Sequence, residues 1–149
     1  MAIESCIRAG SAAANLRPCP IQANWILEGS QIARVEHLCG SVDGAASTYF
    51  WDCTAGRFNW YYHFDETLYV LEGSVTLKDA AGTARLIAGG MIFFPAGSSA
   101  EWTVDSYIRK LAFCRTPLPS YFLFVKQVGR RIKRLFRGGR KVDDSSGFL

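Results

Sequence analysis

Between residues 24 and 115 the chain is a succession of short aromatic and β-branched runs, each closed by a turn signal, and no helical period intervenes. The runs fall at 25–27, 31–38, 47–53, 58–62, 68–71, 74–78, 83–87, 91–94, 101–104 and 107–113. Between them lie Glu28-Gly29-Ser30, the stretch 40–44, Thr54-Ala55-Gly56, Gly89-Gly90 and Pro95-Ala96-Gly97. Asp79-Ala80-Ala81-Gly82, flanked by two such runs, is a hairpin signal. Short strands at this close spacing predict an all-β fold, an antiparallel sandwich or jelly-roll barrel of roughly eight to ten strands.

At 149 residues the chain fits one domain with a sizeable core. Its hydrophobic fraction of 49% excludes a disordered protein. Four regions are expected: an N-terminal arm over 1–22, the barrel over 23–116, a basic amphipathic helix over 117–138, and a disordered tail over 139–149. In the helix, Tyr121, Phe124, Val125, Val128, Ile132, Leu135 and Phe136 recur at helical spacing, and Gly138-Gly139 would stop it. Residues 1–125 hold nine Lys/Arg against eleven Asp/Glu, whereas 126–149 hold eight Lys/Arg against two Asp, so the basicity belongs to the tail. Such a helix suits docking on a protein partner or on an anionic membrane surface. Nucleic acid is disfavoured, because aromatic and base-reading context is missing.

The N-terminus carries Glu4 and no apolar core of a leader, which makes a cytoplasmic location the expectation. The five cysteines lie in no CxxC spacing, so free thiols are expected rather than a thiolate zinc site.

Two segments carry a recognisable pattern. Glu66 is followed by Gly73 seven residues on, and Gly89, Pro95 and Gly97 are spaced as in GGMIFFPAG. Together they resemble the two motifs of the cupin superfamily. A narrower resemblance, through WDCTAGRFNW, Tyr62 to Thr67, FPAG, Trp102 and Arg109-Lys110, is to the small single-barrel cupins grouped with the (S)-ureidoglycine aminohydrolase and ethanolamine-utilisation cupin domains. The resemblance implies a cupin-type barrel and a homodimer.

It does not carry the metal with it. The positions of the family's two first-motif histidines hold Trp60 and Tyr62, or Asn59 and Tyr61 with the longer spacing. The second-motif histidine position holds Ala100. Indole and methyl groups cannot replace imidazole as a ligand. His63 and His37 are read as isolated histidines, since one without partners rarely binds metal. No cofactor and no metal ligand are therefore expected.

The parity of the strands places Trp60 and Tyr62 on one face, and Trp102 on the inward face of a later strand. Glu66 takes the inward acid position and needs a cationic partner there, Lys110 or Arg109. The expected pocket is Trp60, Tyr62, Glu66, Trp102 and Lys110, suited to a small metabolite with a flat or cationic part and a polar handle. In an enzyme Glu66 would be the acid or base and Tyr62 a hydrogen-bond donor. In a non-catalytic module the same groups would only bind, and in a bland structure they would fill the barrel. Metal-dependent ureidoglycine-type hydrolysis is the least favoured reading.

Overall fold

The computed structural model of the chain describes residues 15–119. The expected helix and disordered tail lie outside the described residues, apart from 117–119, which have no regular structure. Most of the expected N-terminal arm lies outside them too.

Eight strands are seen among the described residues: β1 (Arg17–Pro18), β2 (Ile26–Glu28), β3 (Ala33–Gly40), β4 (Ala46–Tyr61), β5 (Asp65–Asp79), β6 (Gly82–Ile87), β7 (Met91–Phe94) and β8 (Ser99–Arg115). A single 3-10 turn at Ala23–Trp25 precedes β2. Every pairing is antiparallel, and the sheet runs β1-β3-β4-β8-β5-β6, with β2 also on β4 and β7 also on β5. The all-β architecture matches the sequence expectation. The hairpin at Asp79 closes as expected, with Asp79 Oδ1 accepting from the backbone of Ala81 at 2.8 Å and of Gly82 at 3.1 Å.

The strand lengths differ from the expectation. Runs read as separate strands are halves of long ones: 47–53 and 58–62 join in β4, 68–71 and 74–78 in β5, and 101–104 and 107–113 in β8. The intervening signals are bulges, not turns. Register shifts occur at Thr54/Gly56 on β4, and at Val70/Glu72 and Gly73/Thr76 on β5. An extra residue kinks a strand and lets it continue, so one strand serves two parts of the barrel wall. A second difference concerns residues 17–22, read as part of the arm. β1 pairs with β3, the amide of Cys19 donates to the Ala33 carbonyl at 2.8 Å, and Ile21 is buried in the core.

The interior is packed with Phe58, Leu68, Val70, Val75, Leu77, Trp102, Val104 and Ile108, all essentially inaccessible. On the outside of the sheet, cross-strand register lines up Met91, Tyr69, Leu111 and Phe50 in one row and Phe93, Thr67 and Phe113 beside it. Met91, Phe93, Phe113 and Tyr69 are exposed, whereas Phe50 in the same row is buried.

Candidate functional site

Trp51 and Lys110 face each other in register on β4 and β8. From there Lys110, Ala112 and Cys114 follow one another along the inner face of β8, beside Val70, Leu68 and Glu66 of β5. Ala112 has only a methyl group, which leaves room for the lysine stem to run along the sheet. The ammonium of Lys110 reaches Glu66 and donates to its Oε1 at 2.5 Å, with both side chains almost fully buried. Three indoles surround the same ammonium. Its nitrogen lies 4.8 Å from the ring centre of Trp102, 5.1 Å from Trp51 and 5.8 Å from Trp60. Aromatic faces are electron-rich and stabilise a desolvated cation, so the lysine is held by a carboxylate and by rings together. Among the described residues, the one partner of Glu66 Oε2 is the weakly donating thiol of Cys114, at 3.9 Å.

This pair sits in the wall of a cavity of about 560 Å³. Trp25, Trp51, Trp60, Tyr49 and Tyr62 are among its aromatic lining, and Ala112 and Cys114 also face it. Trp60 and Trp102 do not stack on one another; their rings are 6.5 Å apart and tilted by 50°. Space therefore remains beside Glu66.

Of the five residues that the sequence brings forward, Trp60, Tyr62, Glu66 and Lys110 line the cavity. Trp102 is not among the lining residues and is placed one layer deeper. It stacks on Phe58 at 5.8 Å, and its Nε1 donates to the Tyr62 hydroxyl at 3.1 Å. Tyr62 in turn stacks on Phe94 at 4.1 Å. Trp102 thus supports two residues of the wall, its ring beneath the ammonium and its N–H fixing Tyr62. Arg109, the other candidate partner for Glu66, points to the opposite face of β8, 3.6 Å from Asp52 Oδ2. Asp52 also accepts from Arg34 Nε at 3.0 Å and from the Tyr107 hydroxyl at 2.8 Å.

Strand parity misplaces Trp51 and Tyr49, and the sequence reading passes over Trp25 and Cys114. Counting in twos from Trp60 back to Trp51 puts them on opposite faces. The bulge at Thr54–Gly56 shifts the count by one and brings both indoles inside. A glycine within a strand-like run was the available signal. Trp25 reaches the cavity from the 3-10 turn and packs edge-on to Trp60, with ring centres 5.5 Å apart. Cys114 was legible, four residues from Lys110 and of the same parity.

Burial dominates the titration of the neutral groups. It raises the Cys114 thiol to about 11, with the Glu66 carboxylate adding to the rise and Lys110 opposing it. It likewise raises Cys53, to about 12. Burial and then Glu66 push the Tyr62 hydroxyl well above its ordinary range. All three are therefore uncharged at neutral pH. These groups also predict an alkaline limit to stability. Unfolded thiols ionise near pH 8.5, while Cys53 holds its proton to about pH 12 in the fold. Its contribution is complete below the unfolded value and is lost as pH climbs towards the folded one. Each such proton costs about 1.4 kcal/mol per pH unit. Urea midpoints at pH 8, 9 and 10 should fall progressively, and less steeply in Cys53→Ala. Equal slopes for the two proteins would remove Cys53 from this account.

The two motifs of the sequence meet at the rim. Asp65 Oδ1 accepts from the amide of Ala96 at 3.0 Å, and the Gly97 amide donates to the Tyr62 carbonyl at 2.7 Å. The turn Pro95-Ala96-Gly97 is thus tied to the two residues that flank His63 and Phe64. A model of the EutQ-like cupin domain matches residues 40–112. That span runs from the end of β3 through Lys110 and includes both motifs. The chain belongs to the cupin superfamily.

Solved structures agree. An ethanolamine utilization protein Q from Salmonella typhimurium is 27% identical, with a TM-score of 0.51 over 56% of this chain and 69% of that one. The EutQ protein of Clostridium difficile is 20% identical, with a TM-score of 0.51 over 58% of this chain and 64% of that one. A DUF861-family protein of unknown function from Pseudomonas syringae is 22% identical and has a TM-score of 0.63, over 68% of this chain and 45% of that one. This cupin therefore spans less than two thirds of the last two proteins. No curated protein matches the sequence.

The metal chemistry of the superfamily does not fit the donor set of this cavity. Trp60, Tyr62 and Ala100 occupy the histidine positions, and Glu66 is already engaged by an ammonium. Among the described residues no three His, Cys, Asp or Glu side chains are grouped as a metal site would need. His63 faces the cavity without such companions, and His37 packs against Tyr49 at 5.2 Å.

Proposed function

We propose that this cupin binds a small, flat organic molecule in the barrel cavity, gripped by indole rings and oriented by the Glu66–Lys110 pair. The observation that carries the reading is the cavity itself, about 560 Å³ of space beside a buried ion pair. A pair serving only as core packing would be enclosed by side chains, whereas here both partners line open volume. The size is within the range of small-molecule sites, about 300–1,000 Å³, and the mainly apolar lining with few polar groups is the usual composition.

The chain has four tryptophans, and all four are at or under the cavity. Their intrinsic fluorescence is accordingly a direct reporter of occupancy. Flat heteroaromatic fragments should quench it saturably in the wild type. Ala112→Phe puts a ring into the volume beside Lys110 and should weaken the same fragments by ~10-fold or more, a loss of about 1.4 kcal/mol. Unchanged affinity in a folded Ala112→Phe protein would place the fragments elsewhere and remove the support for a ligand site here.

Glu66 is the group on which any catalytic role would rest, since it carries an oxygen not engaged by Lys110 and facing no strong donor.

A further inference from the structure

The charge balance of the cavity wall narrows the class of ligand, an inference that rests on the ligand-site reading above. Of the described residues lining the cavity, Glu66 is the one carboxylate and Lys110 the one amine, with His63 the remaining base. The two charges cancel across a direct hydrogen bond. Cys114 and Tyr62, which would add negative charge if ionised, are held neutral by burial. A carboxylate ligand would meet Glu66 and an ammonium ligand would meet Lys110, each bringing an unmatched charge into an apolar site.

The hydrogen-bond inventory of the same two groups is complementary in a second way. An ammonium has three donors; Lys110 spends one on Glu66, and the indole rings 4.8 and 5.1 Å away take no conventional hydrogen bond, so N–H groups remain for a ligand. Glu66 Oε2 is an acceptor whose one partner among the described residues is a thiol. A donor and an acceptor therefore stand side by side on the cavity wall. A ligand edge that satisfies both must present an acceptor and a donor side by side. The flat aromatic lining asks for a planar ring behind that edge.

We infer that the cavity is built for an uncharged planar heterocycle with an adjacent carbonyl and N–H, a lactam or imide edge, whose carbonyl accepts from Lys110 Nζ and whose N–H donates to Glu66 Oε2. The ring then lies among Trp25, Trp51 and Trp60. The ion pair acts as a neutral two-point recognition unit, and any net-charged analogue is rejected by one of its halves.

Four quinolines of nearly equal size separate the possibilities by tryptophan quenching: 2-quinolone, N-methyl-2-quinolone, quinoline-2-carboxylate and protonated 2-(aminomethyl)quinoline. In the wild type 2-quinolone should bind ~10-fold or more tightly than each of the other three. Glu66→Gln leaves a net positive wall and should move the preference to the carboxylate. Lys110→Met leaves a net negative wall and should move it to the aminomethyl cation. The wild-type series decides the matter even if either variant fails to fold. Tightest binding of a charged quinoline to the wild type, or equal binding of the N-methyl compound, overturns the lactam-edge inference and leaves the ligand site standing. Saturation by none of the four overturns both.

Discussion

Gly73→Ala is expected to lower the stability of this cupin by roughly 3–5 kcal/mol, enough to consume much of a domain's usual margin of about 5–15 kcal/mol. Gly73 has φ of +77°, in the left-handed region where a side chain is itself strained by about 1–2 kcal/mol. The larger part of the loss is steric. A Cβ at this position would lie 1.9 Å from the carbonyl oxygen of Tyr107 and 2.8 Å from its carbon. Both are backbone atoms of β8, so no side-chain rotation relieves the contact. The site is the register shift of β5 against β8 between Gly73 and Thr76. Relief would require pulling apart the two strands that carry Glu66 and Lys110. A fall in melting temperature of roughly 10 °C or more should follow, read by circular dichroism. Gly44→Ala is the control. Gly44 also has positive φ, +69°, but a Cβ there meets nothing within 4 Å. Its cost should stay near the conformational term alone, about 1–2 kcal/mol. Equal melting points for the two variants would mean that the contact with Tyr107 is not what fixes glycine at position 73.

Gly73 also shows what a sequence reading can and cannot recover. Its spacing from Glu66 was enough to indicate the barrel, because a glycine forced by backbone contact occupies a fixed place relative to the strands around it. The reason for the glycine was not legible, since the carbonyl that demands it belongs to a residue 34 positions away. The same division runs through the site. Trp60, Tyr62, Glu66 and Lys110 were found from motif spacing and the two-residue period, both local properties. Trp51 was lost at the Thr54–Gly56 bulge, where the period breaks and composition alone looks like a turn. Trp102 was given the correct, inward direction but the wrong depth. Parity reports which face a side chain takes, and says nothing about what is stacked above it. Phe58, on β4 directly opposite Trp102 in register, and Tyr62, just past the end of β4, which receives its N–H, set that depth.

Lys110→Met should cost roughly 3–5 kcal/mol, because it removes the cation while leaving Glu66 buried without a counter-charge. Glu66→Leu should cost a similar amount in the opposite sense, stranding the ammonium among indoles. Those rings compensate it in part, a cation–π contact being worth about 2 kcal/mol when desolvated. The glutamate single variant is therefore expected to be the milder of the two, and the asymmetry measures the contribution of Trp51, Trp60 and Trp102. The double variant Glu66→Leu/Lys110→Met is expected to recover most of the loss, to within about 2 kcal/mol of wild type or above it, since two apolar chains of similar volume pay no desolvation. Denaturant unfolding of the four proteins closes the cycle. A double variant as unstable as the sum of the singles would show that the two groups are not coupled across their hydrogen bond. A double variant at or above wild-type stability separates folding from binding. The barrel would then stand without its ion pair, and selection for folding could not account for a buried carboxylate and ammonium on this wall. What such a pair supplies that leucine and methionine do not is a donor and an acceptor facing the cavity. Loss of fragment binding in a fully folded double variant is the result that would assign the pair to recognition.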